Sequence, residues 1–254
     1  MLHPLDSFTG YTLHKGEWVY NQAIAPWPTW MWWGITDRIT AELDIECWLG
    51  GVLSFNFRFG SGKQQGKCFS IAYETMFQYL FKEIDLLNDY EYLKVRRKGA
   101  NWYNKINISF SLSKKLHLHL STGATYSEDL LIENAWRSVY KGKRFHNLIS
   151  PDFSIGLDWR MYRWLSFHSS ISYGSTFIYL DNVPRKYQFT YGFCIKPFNG
   201  KGPGFLRTFH VELASIFCYF PDAGEIVFVP LPVFPFLYWQ WGGNRNYYLY
   251  KDTR

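Results

Sequence analysis

Asp158, His168 and Ser170 have the residue types that hydrolytic chemistry requires. A carboxylate that orients a histidine, which in turn activates a serine hydroxyl, makes a nucleophile. His168 and Ser170 are two positions apart, so on a strand they share one face, while Phe167 and Ile171 occupy the other face. That arrangement places the polar pair among other polar residues. We therefore favour a structural or lining role and predict that the chain is not an enzyme.

A pair of histidines, His117 and His119, shares one face of another predicted strand and could supply two metal ligands. The spacing fixes no cysteine or carboxylate beside them, so we interpret them as polar lining and predict no metal site. The glycine-containing segment GSGKQQGK at 60–67 lacks the spacing of a phosphate-binding loop and is interpreted as a turn. The sequence therefore predicts no cofactor.

An acidic ladder of Glu42, Asp44 and Glu46 could attract cations or hold Ca²⁺. Arg58 lies on the polar face of the next predicted strand, so an internal salt-bridge network is the favoured interpretation. A three-residue loop at 49–51 gives the cross-strand pairs Glu42 with Arg58, Asp44 with Asn56 and Glu46 with Ser54.

These acidic residues belong to a strand, turn and second strand between Ile39 and Phe59. Apolar and polar residues alternate from Ile39 to Cys47 and again from Leu53 to Phe59. A period of two gives each strand one apolar and one polar face. In a soluble sandwich the apolar face forms the core, whereas in a transmembrane barrel it contacts lipid and the polar face lines a lumen.

The same alternation recurs along the chain and predicts about twelve strands. Tight turns at 113–115 and 162–164 predict the pairs His117 with Ser111, His119 with Ser109, Asp158 with His168, and Arg160 with Ser166. We also predict a first strand at Thr9–Tyr20 and long polar loops at about Lys82–Ala100 and Ser127–Leu148. Part of 226–235 is predicted to be loop, because its three prolines cannot donate to a sheet ladder.

Composition separates the soluble and membrane interpretations. Aromatic residues make up 21% of the chain and charged residues 19%, with 12 Trp. This aromatic load suits a barrel with aromatic girdles at two membrane interfaces, and the predicted connections alternate between short and long along most of the chain. The predicted fold is all-β: one domain, residues 1–254, forming an antiparallel transmembrane barrel of about 12 strands with short periplasmic turns and longer extracellular loops.

Charge, cysteines and the N-terminus limit the other classes. The formal net charge is +6, but the Lys and Arg residues are predicted mostly in segments between strands and not on one helix, so we predict no nucleic-acid partner. Cys194 and Cys218 are expected far out of register on neighbouring strands. The first ten residues lack the basic start and apolar stretch of an export signal. An outer-membrane barrel needs one, so either the numbering begins after processing or the gene starts upstream; a truly cytoplasmic chain would exclude a barrel.

The segment GEWVYNQ, followed by GITDRITAELDIE, resembles the opening of a family of Gram-negative outer-membrane barrels. That family comprises porin-like transporters associated with phenol-type degradation pathways, and the resemblance covers about Gly16 to Glu46. It implies an outer-membrane barrel and the movement of small molecules, and it implies no catalytic residues.

We therefore expect a protein of the bacterial outer membrane that forms a narrow channel for small polar or amphipathic solutes. Its expected partners are outer-membrane lipid, small solutes and other envelope proteins that dock on the long loops. A closed barrel that anchors or scaffolds a membrane assembly is the alternative, and a soluble carbohydrate-binding domain is a third. The predicted lumen-lining residues are Glu42, Asp44, Glu46, Asn56, Arg58, Glu74, Lys105, His117, His119, Asp158, Arg160, His168, Lys196, His210 and Glu212.

Overall fold

Twelve antiparallel strands close into a barrel in the computed structural model of the chain. The structure describes residues 9–23, 30–43, 51–61, 69–85, 93–135, 143–174, 187–198, 201–220 and 225–242. None of the helices among these residues is long and apolar enough to cross a membrane.

The strands follow one another in space in the order of the sequence, and the last strand pairs with the first. Their bounds are β1 Glu17–Ala23, β2 Trp30–Thr36, β3 Ile39–Leu43, β4 Val52–Gly60, β5 Phe69–Asp85, β6 Leu93–Ser111, β7 Leu116–Ala135, β8 Lys143–Arg160, β9 Leu165–Tyr173, β10 Tyr187–Ile195, β11 Phe209–Phe220 and β12 Glu225–Gly242. One short helix, α1 at Gly204–Arg207, lies between β10 and β11.

Closure of the barrel comes from the pairing of β1 with β12, where Glu17 lies opposite Gly242 and Asn21 opposite Tyr238. A closed sheet has no edge strand, because every strand pairs with a neighbour on each side. The predicted all-β fold, an antiparallel barrel of about twelve strands, is confirmed.

The two faces of the sheet differ in polarity, and the direction of the difference is the one that a membrane barrel requires. The face that is buried inside is mostly polar, with residues such as Ser54, Asn107 and Glu212. The outward face exposes large apolar side chains, including Phe55, Phe57, Phe59, Phe69, Ile71, Phe77, Trp102, Ile106, Phe153, Ile155, Trp159, Ile171 and Phe189. A soluble barrel would bury its apolar face instead, so this arrangement is that of a membrane β-barrel.

The pairings predicted at two tight turns are confirmed. On β6 and β7, Ser111 lies opposite His117 and Ser109 opposite His119. On β8 and β9, Asp158 lies opposite His168 and Arg160 opposite Ser166. Cys194 and Cys218 lie on β10 and β11 opposite Glu212 and Gln188, so they are out of register as expected.

The predicted first strand at Thr9–Tyr20 is wrong over most of its length, because β1 begins at Glu17. Residues 9–14 instead run inside the barrel, where Thr9, Tyr11 and Leu13 are buried. We call residues 9–14 the N-terminal strap. The side chains of an extended segment point alternately to its two sides whether the segment pairs in the sheet or lies across the inner face of the sheet. The sequence pattern therefore could not distinguish the two.

The predicted long loops are also wrong over much of their length. Strands β5 to β8 continue through most of Lys82–Ala100 and Ser127–Leu148, where polar sequence indicated loop. Because a membrane strand needs only about 9–11 residues, these four strands, of 17, 19, 20 and 18 residues, project beyond the span.

The prediction that part of 226–235 is loop is wrong, because strand β12 includes the whole proline-rich run. Its pairing with β11 shifts between Ala214 and Ile216, where the partner changes from Phe234 to Val229. Pro230 and Pro232 lie within this shift, at a point where the ladder does not require their missing N–H groups.

Candidate functional site: the barrel interior

The N-terminal strap crosses the end of the interior that lies next to the short turns. At its start, the Gly10 N–H donates to Ser109 Oγ on β6 at 2.7 Å, and Ser70 Oγ on β5 donates to the Gly10 carbonyl at 2.8 Å. Further along, the Leu13 N–H donates to Thr40 Oγ1 on β3 at 2.8 Å. The strap therefore spans from β6 to β3 with its backbone groups bonded to interior side chains.

Two interior glycines make room for the strap. A Cβ on Gly34 of β2 would overlap the backbone carbonyl of His14. A Cβ on Gly60 of β4 would lie 2.6 Å from Cγ2 of Thr12. A glycine at an inward strand position allows another backbone to approach closely, and here that backbone is the strap.

An ion pair between Arg58 and Glu74 lies beside the strap, with Nη2 to Oε2 at 2.8 Å and both side chains buried. Glu74 also accepts hydrogen bonds from Asn107 at 2.8 Å and from Asn56 at 3.1 Å. The Arg58 guanidinium lies 4.9 Å from the ring centroid of Trp32, and a charge held in this way is compatible with burial.

The predicted pairing of Glu42 with Arg58 is wrong. Thr40 lies opposite Arg58, and Glu42 lies opposite Asn56, whose amide donates to Glu42 Oε2 at 2.5 Å. The predicted pair of Asp44 with Asn56 is wrong for the same reason. A slip of two residues leaves every side chain on its own face, so the alternation could not detect it.

The two histidines of β7 connect the strap to β8. His117 Nδ1 lies 2.9 Å from the hydroxyl of Tyr11. His119 Nδ1 lies 2.6 Å from Ser109 Oγ, and its Nε2 lies 3.3 Å from Asp158 Oδ2. Because Ser109 also bonds the strap, the chain of contacts runs from the strap through Ser109 and His119 to Asp158.

A second buried pair of a histidine and a carboxylate lies further around the wall. His168 Nε2 on β9 lies 3.2 Å from Glu212 Oε1 on β11, and both side chains are fully buried. The two residues are separated by β10, where Gly192 lies opposite His168. A Cβ on Gly192 would lie 2.8 Å from the imidazole, so the absence of a side chain there lets His168 reach across a whole strand. Ser170 Oγ lies 2.5 Å from Thr190 Oγ1.

The side of the interior formed by β10 to β12 is filled by an aromatic and sulfur cluster. Cys194 Sγ lies 2.8 Å from the hydroxyl of Tyr238. The ring of Tyr238 stacks on His210, with centroids 4.4 Å apart and planes 7° apart. Within the described part of the chain, no three His, Cys, Asp or Glu side chains converge where they could hold a metal ion.

Beyond the membrane span, Asp129 on β7 accepts two hydrogen bonds from Arg144 on β8, at 2.7 Å from Nε and 2.6 Å from Nη2. His146 Nδ1 lies 3.6 Å from Asp129 Oδ1. The hydrogen bond from Arg144 lowers the pKa of Asp129 below its ordinary value. This pair ties together the projecting parts of β7 and β8.

The predicted lining residues fall into three groups. Those that are buried on the polar face are Asn56, Arg58, Glu74, His117, His119, Asp158, His168, His210 and Glu212. Glu42, Lys105, Arg160 and Lys196 are half-buried. Asp44 and Glu46 lie outside the described residues. The structure brings His119 to Asp158, His168 to Glu212 and Arg58 to Glu74; whether these residues line a path for solute stays a prediction.

The sequence reasoning missed the position of the strap residues Thr9, Tyr11 and Leu13 inside the barrel, and it missed the contact between His168 and Glu212 across Gly192. One sequence signal could have found both features. Gly34, Gly60 and Gly192 all occupy inward positions of strands, where a side chain is expected, and glycine there indicates close approach of another group.

A scan against protein-family models finds no match, and a comparison with characterised protein sequences finds none either. Solved structures do match. A structure described as the CymD monoaromatic hydrocarbon channel is 9% identical, with 92% of this chain and 90% of that chain covered and a TM-score of 0.40. The Pseudomonas putida toluene transporter TodX is 11% identical, with 86% and 75% covered and a TM-score of 0.37.

The translocator domain of the autotransporter NalP from Neisseria meningitidis is 6% identical, with 90% of this chain and 87% of that chain covered and a TM-score of 0.37. The predicted porin-like β-barrel is confirmed at the level of the fold, on the strand pairing of this chain itself.

Proposed function

We propose that this chain is a barrel of the bacterial outer membrane whose interior forms a narrow passage for small polar or amphipathic solutes. The observation that carries the proposal is the inverted polarity of the closed sheet: serine, asparagine, histidine and carboxylate side chains inside, and aromatic side chains outside. A polar lumen enclosed by a lipid-facing surface is the arrangement of a transmembrane channel. The proposal assigns the buried histidines and carboxylates a lining and bracing role and no catalysis.

The strap determines how open such a passage is. It crosses the interior at the short-turn end, and its bonds to Ser70, Ser109 and Thr40 hold it against the wall. A twelve-stranded barrel has a narrow interior, so a segment of chain inside it removes much of the free bore. Under this proposal, displacement of the strap opens the passage.

The alternative function is a closed barrel that anchors or scaffolds an outer-membrane protein assembly. The same strap favours this alternative, because a segment that is hydrogen-bonded to the barrel wall at both ends would also suit a permanently closed barrel. Membrane lipid on the outside, and envelope proteins docked on the segments between strands, would then be the only partners. Conductance separates the two functions.

The experiment is planar-bilayer recording of the purified barrel with a strap that can be locked. A Cβ on Gly60 would lie 3.5 Å from the Cβ of Thr12, which is a disulfide-compatible separation. The variant T12C/G60C, in a background with Cys47→Ser and Cys68→Ser, can therefore fasten the strap to β4. We expect current steps in wild type and in reduced T12C/G60C, and their loss when that variant is oxidised; oxidised T12C alone is the control.

A second variant displaces the strap. In Gly34→Val the new side chain would overlap the carbonyl of His14, so the strap must move away from β2. Valine is favoured in strands, so β2 itself should still form. We expect a larger conductance than in wild type. If correctly folded wild type and Gly34→Val both stay silent at every voltage, the passage is refuted and the anchoring function stands.

A further inference from the structure

Three polar side chains meet on the inner wall at the end of the span away from the strap. They are Asn101 on β6, Ser127 on β7 and Ser150 on β8, and we call them the outer polar cluster. Each lies 10 or 11 residues along its strand from the short-turn end, at Ser111, Leu116 and Arg160 respectively. Because a membrane strand crosses in about 9–11 residues, the cluster lies at the mouth opposite the turns at 112–115 and 161–164.

The register brings these side chains together. Asn101 lies directly opposite Ser127, and Thr125, two positions from Ser127, lies opposite Ser150. Directly opposed side chains are about 5 Å apart at Cβ and diagonal neighbours about 7–8 Å apart, so one small molecule can touch all three. Tyr103, which lies opposite Thr125 on β6, adds a buried aromatic ring beside the cluster.

All three side chains are buried and lack a hydrogen-bond partner among the described residues. Their exposed fractions are 1% each, and the unpartnered atoms are both amide atoms of Asn101 and the hydroxyl oxygens of Ser127 and Ser150. A buried polar group without a partner is costly, and native proteins satisfy such groups with water or with a ligand. Because these atoms have almost no accessible surface, neighbouring side chains must move before a ligand can reach the donors and acceptors of the cluster.

The chemistry of the cluster selects the class of ligand. An amide and two hydroxyls both donate and accept, and none of them carries a charge. Asp152 lies next to them, fully buried, with Thr125 Oγ1 donating to its Oδ2 at 2.5 Å, and its acceptor oxygens disfavour a ligand that brings only the oxygens of an anion. An apolar solute would displace water and leave the polar atoms unpaired. The solute that suits these groups is neutral and rich in hydroxyls.

We propose that the outer polar cluster binds a neutral polyhydroxylated solute of monosaccharide or disaccharide size at the mouth of the barrel. This inference rests on the proposed function, since it names the solute class that the passage would admit. Hydroxyls of the solute pair with Asn101, Ser127 and Ser150, and its C–H face packs on the aromatic ring of Tyr103.

The test is saturation-transfer NMR of the barrel in a detergent without sugar groups, with glucose, sucrose and gluconate as probes. Gluconate has a chain of hydroxyls like glucose but carries a negative charge. We expect transfer to glucose or sucrose, weaker transfer to gluconate, and at least about tenfold weaker sugar binding in the double variant S127A/S150A, which removes two neutral hydrogen bonds. Ser172→Ala, which removes a buried hydroxyl outside the cluster, should bind sugar as wild type does.

Equal binding by S127A/S150A and wild type, or no transfer to either sugar from a barrel that shows the heat-dependent gel shift of a folded barrel, would overturn the proposal. Conductance separates this failure from failure of the proposed function. A barrel that conducts but binds no sugar keeps its passage and loses the sugar site. A barrel that binds sugar but never conducts keeps the site and loses the passage.

Discussion

Two sets of buried polar side chains, at opposite ends of the barrel interior, differ in their hydrogen bonds. At the short-turn end, Ser109 contacts Thr9, the Gly10 N–H and His119, and Glu74 binds Arg58 and two asparagine amides. At the opposite mouth, Asn101 and Ser150 are equally buried but have no hydrogen-bond partner among the described residues.

This difference separates structural roles from binding roles. Partnered polar groups at the strap end stabilise the closed interior, because removal of one partner leaves the other buried and unpaired. Unpartnered groups at the mouth lower the stability of the barrel until a solute or water satisfies them. Substitutions at the strap end should therefore change the free energy of unfolding, and those at the mouth should change solute binding.

The largest effect on stability is expected from Glu74→Gln. This substitution removes the charge that pairs with the buried Arg58 guanidinium, and breaking a buried ion pair costs about 3–5 kcal/mol. Urea unfolding of the detergent-solubilised barrel, followed by tryptophan fluorescence, measures the change. The matched control is Arg144→Gln, which breaks a more exposed ion pair outside the span. An equal loss in both variants would contradict the assignment of stability to the strap end.

Gly192→Ala should come next, at about 1–3 kcal/mol, because overpacking of a filled interior costs that much. The new Cβ would lie 2.8 Å from the His168 ring and 2.5 Å from the Leu213 carbonyl. It would therefore push His168 away from Glu212. Gly204→Ala, where a Cβ meets no heavy atom within 4 Å, is the control and should unfold at the wild-type urea concentration.

The pair Ser109→Ala and Ser150→Ala tests the comparison most directly, since both hydroxyls are buried at the inner wall. Loss of the Ser109 hydroxyl leaves the Gly10 N–H unpaired and should cost about 1–3 kcal/mol. Loss of the Ser150 hydroxyl removes a buried group that has no partner, so the free energy of unfolding should stay the same or rise. A reversed order in the urea transitions would mean that the mouth, not the strap end, holds the barrel together.

The smallest effect is expected at Asp129, outside the span. Its pKa should lie below the ordinary value of 3.8, because Arg144 bonds the carboxylate, and Arg144→Gln should return the pKa toward that value. A carboxyl with a lowered folded-state pKa adds stability above its unfolded pKa and loses it as the pH falls through the folded pKa. For so exposed a pair the contribution is at most about 1 kcal/mol. The pH titration of the Asp129 carboxyl carbon by NMR measures it.

Sequence reasoning succeeded where the geometry depends on local counting. The turns at 113–115 and 162–164 are short, so the positions of Ser109 opposite His119 and Asp158 opposite His168 follow from their distance to the turn. It failed at Glu42 and Arg58, where the turn could not be located and a slip of two residues preserves the faces. It also predicted loops in the charged parts of β5 to β8. Strand segments that project beyond the lipid do not need an apolar face, so they lack the alternation of apolar and polar residues that predicts a strand.

The sequence by itself determined which face of each strand is polar, because a period of two assigns every side chain to one side of a sheet. It also determined the class of fold, since that alternation with a heavy aromatic load suits lipid outside and a polar interior. Only the tertiary structure decided which polar groups meet. His168 contacts Glu212 across Gly192. The strap residue Gly10 bonds Ser109, which is 99 residues away in the sequence. These contacts cross strands that are not neighbours or lie far apart in sequence, so they exist only once the sheet has closed.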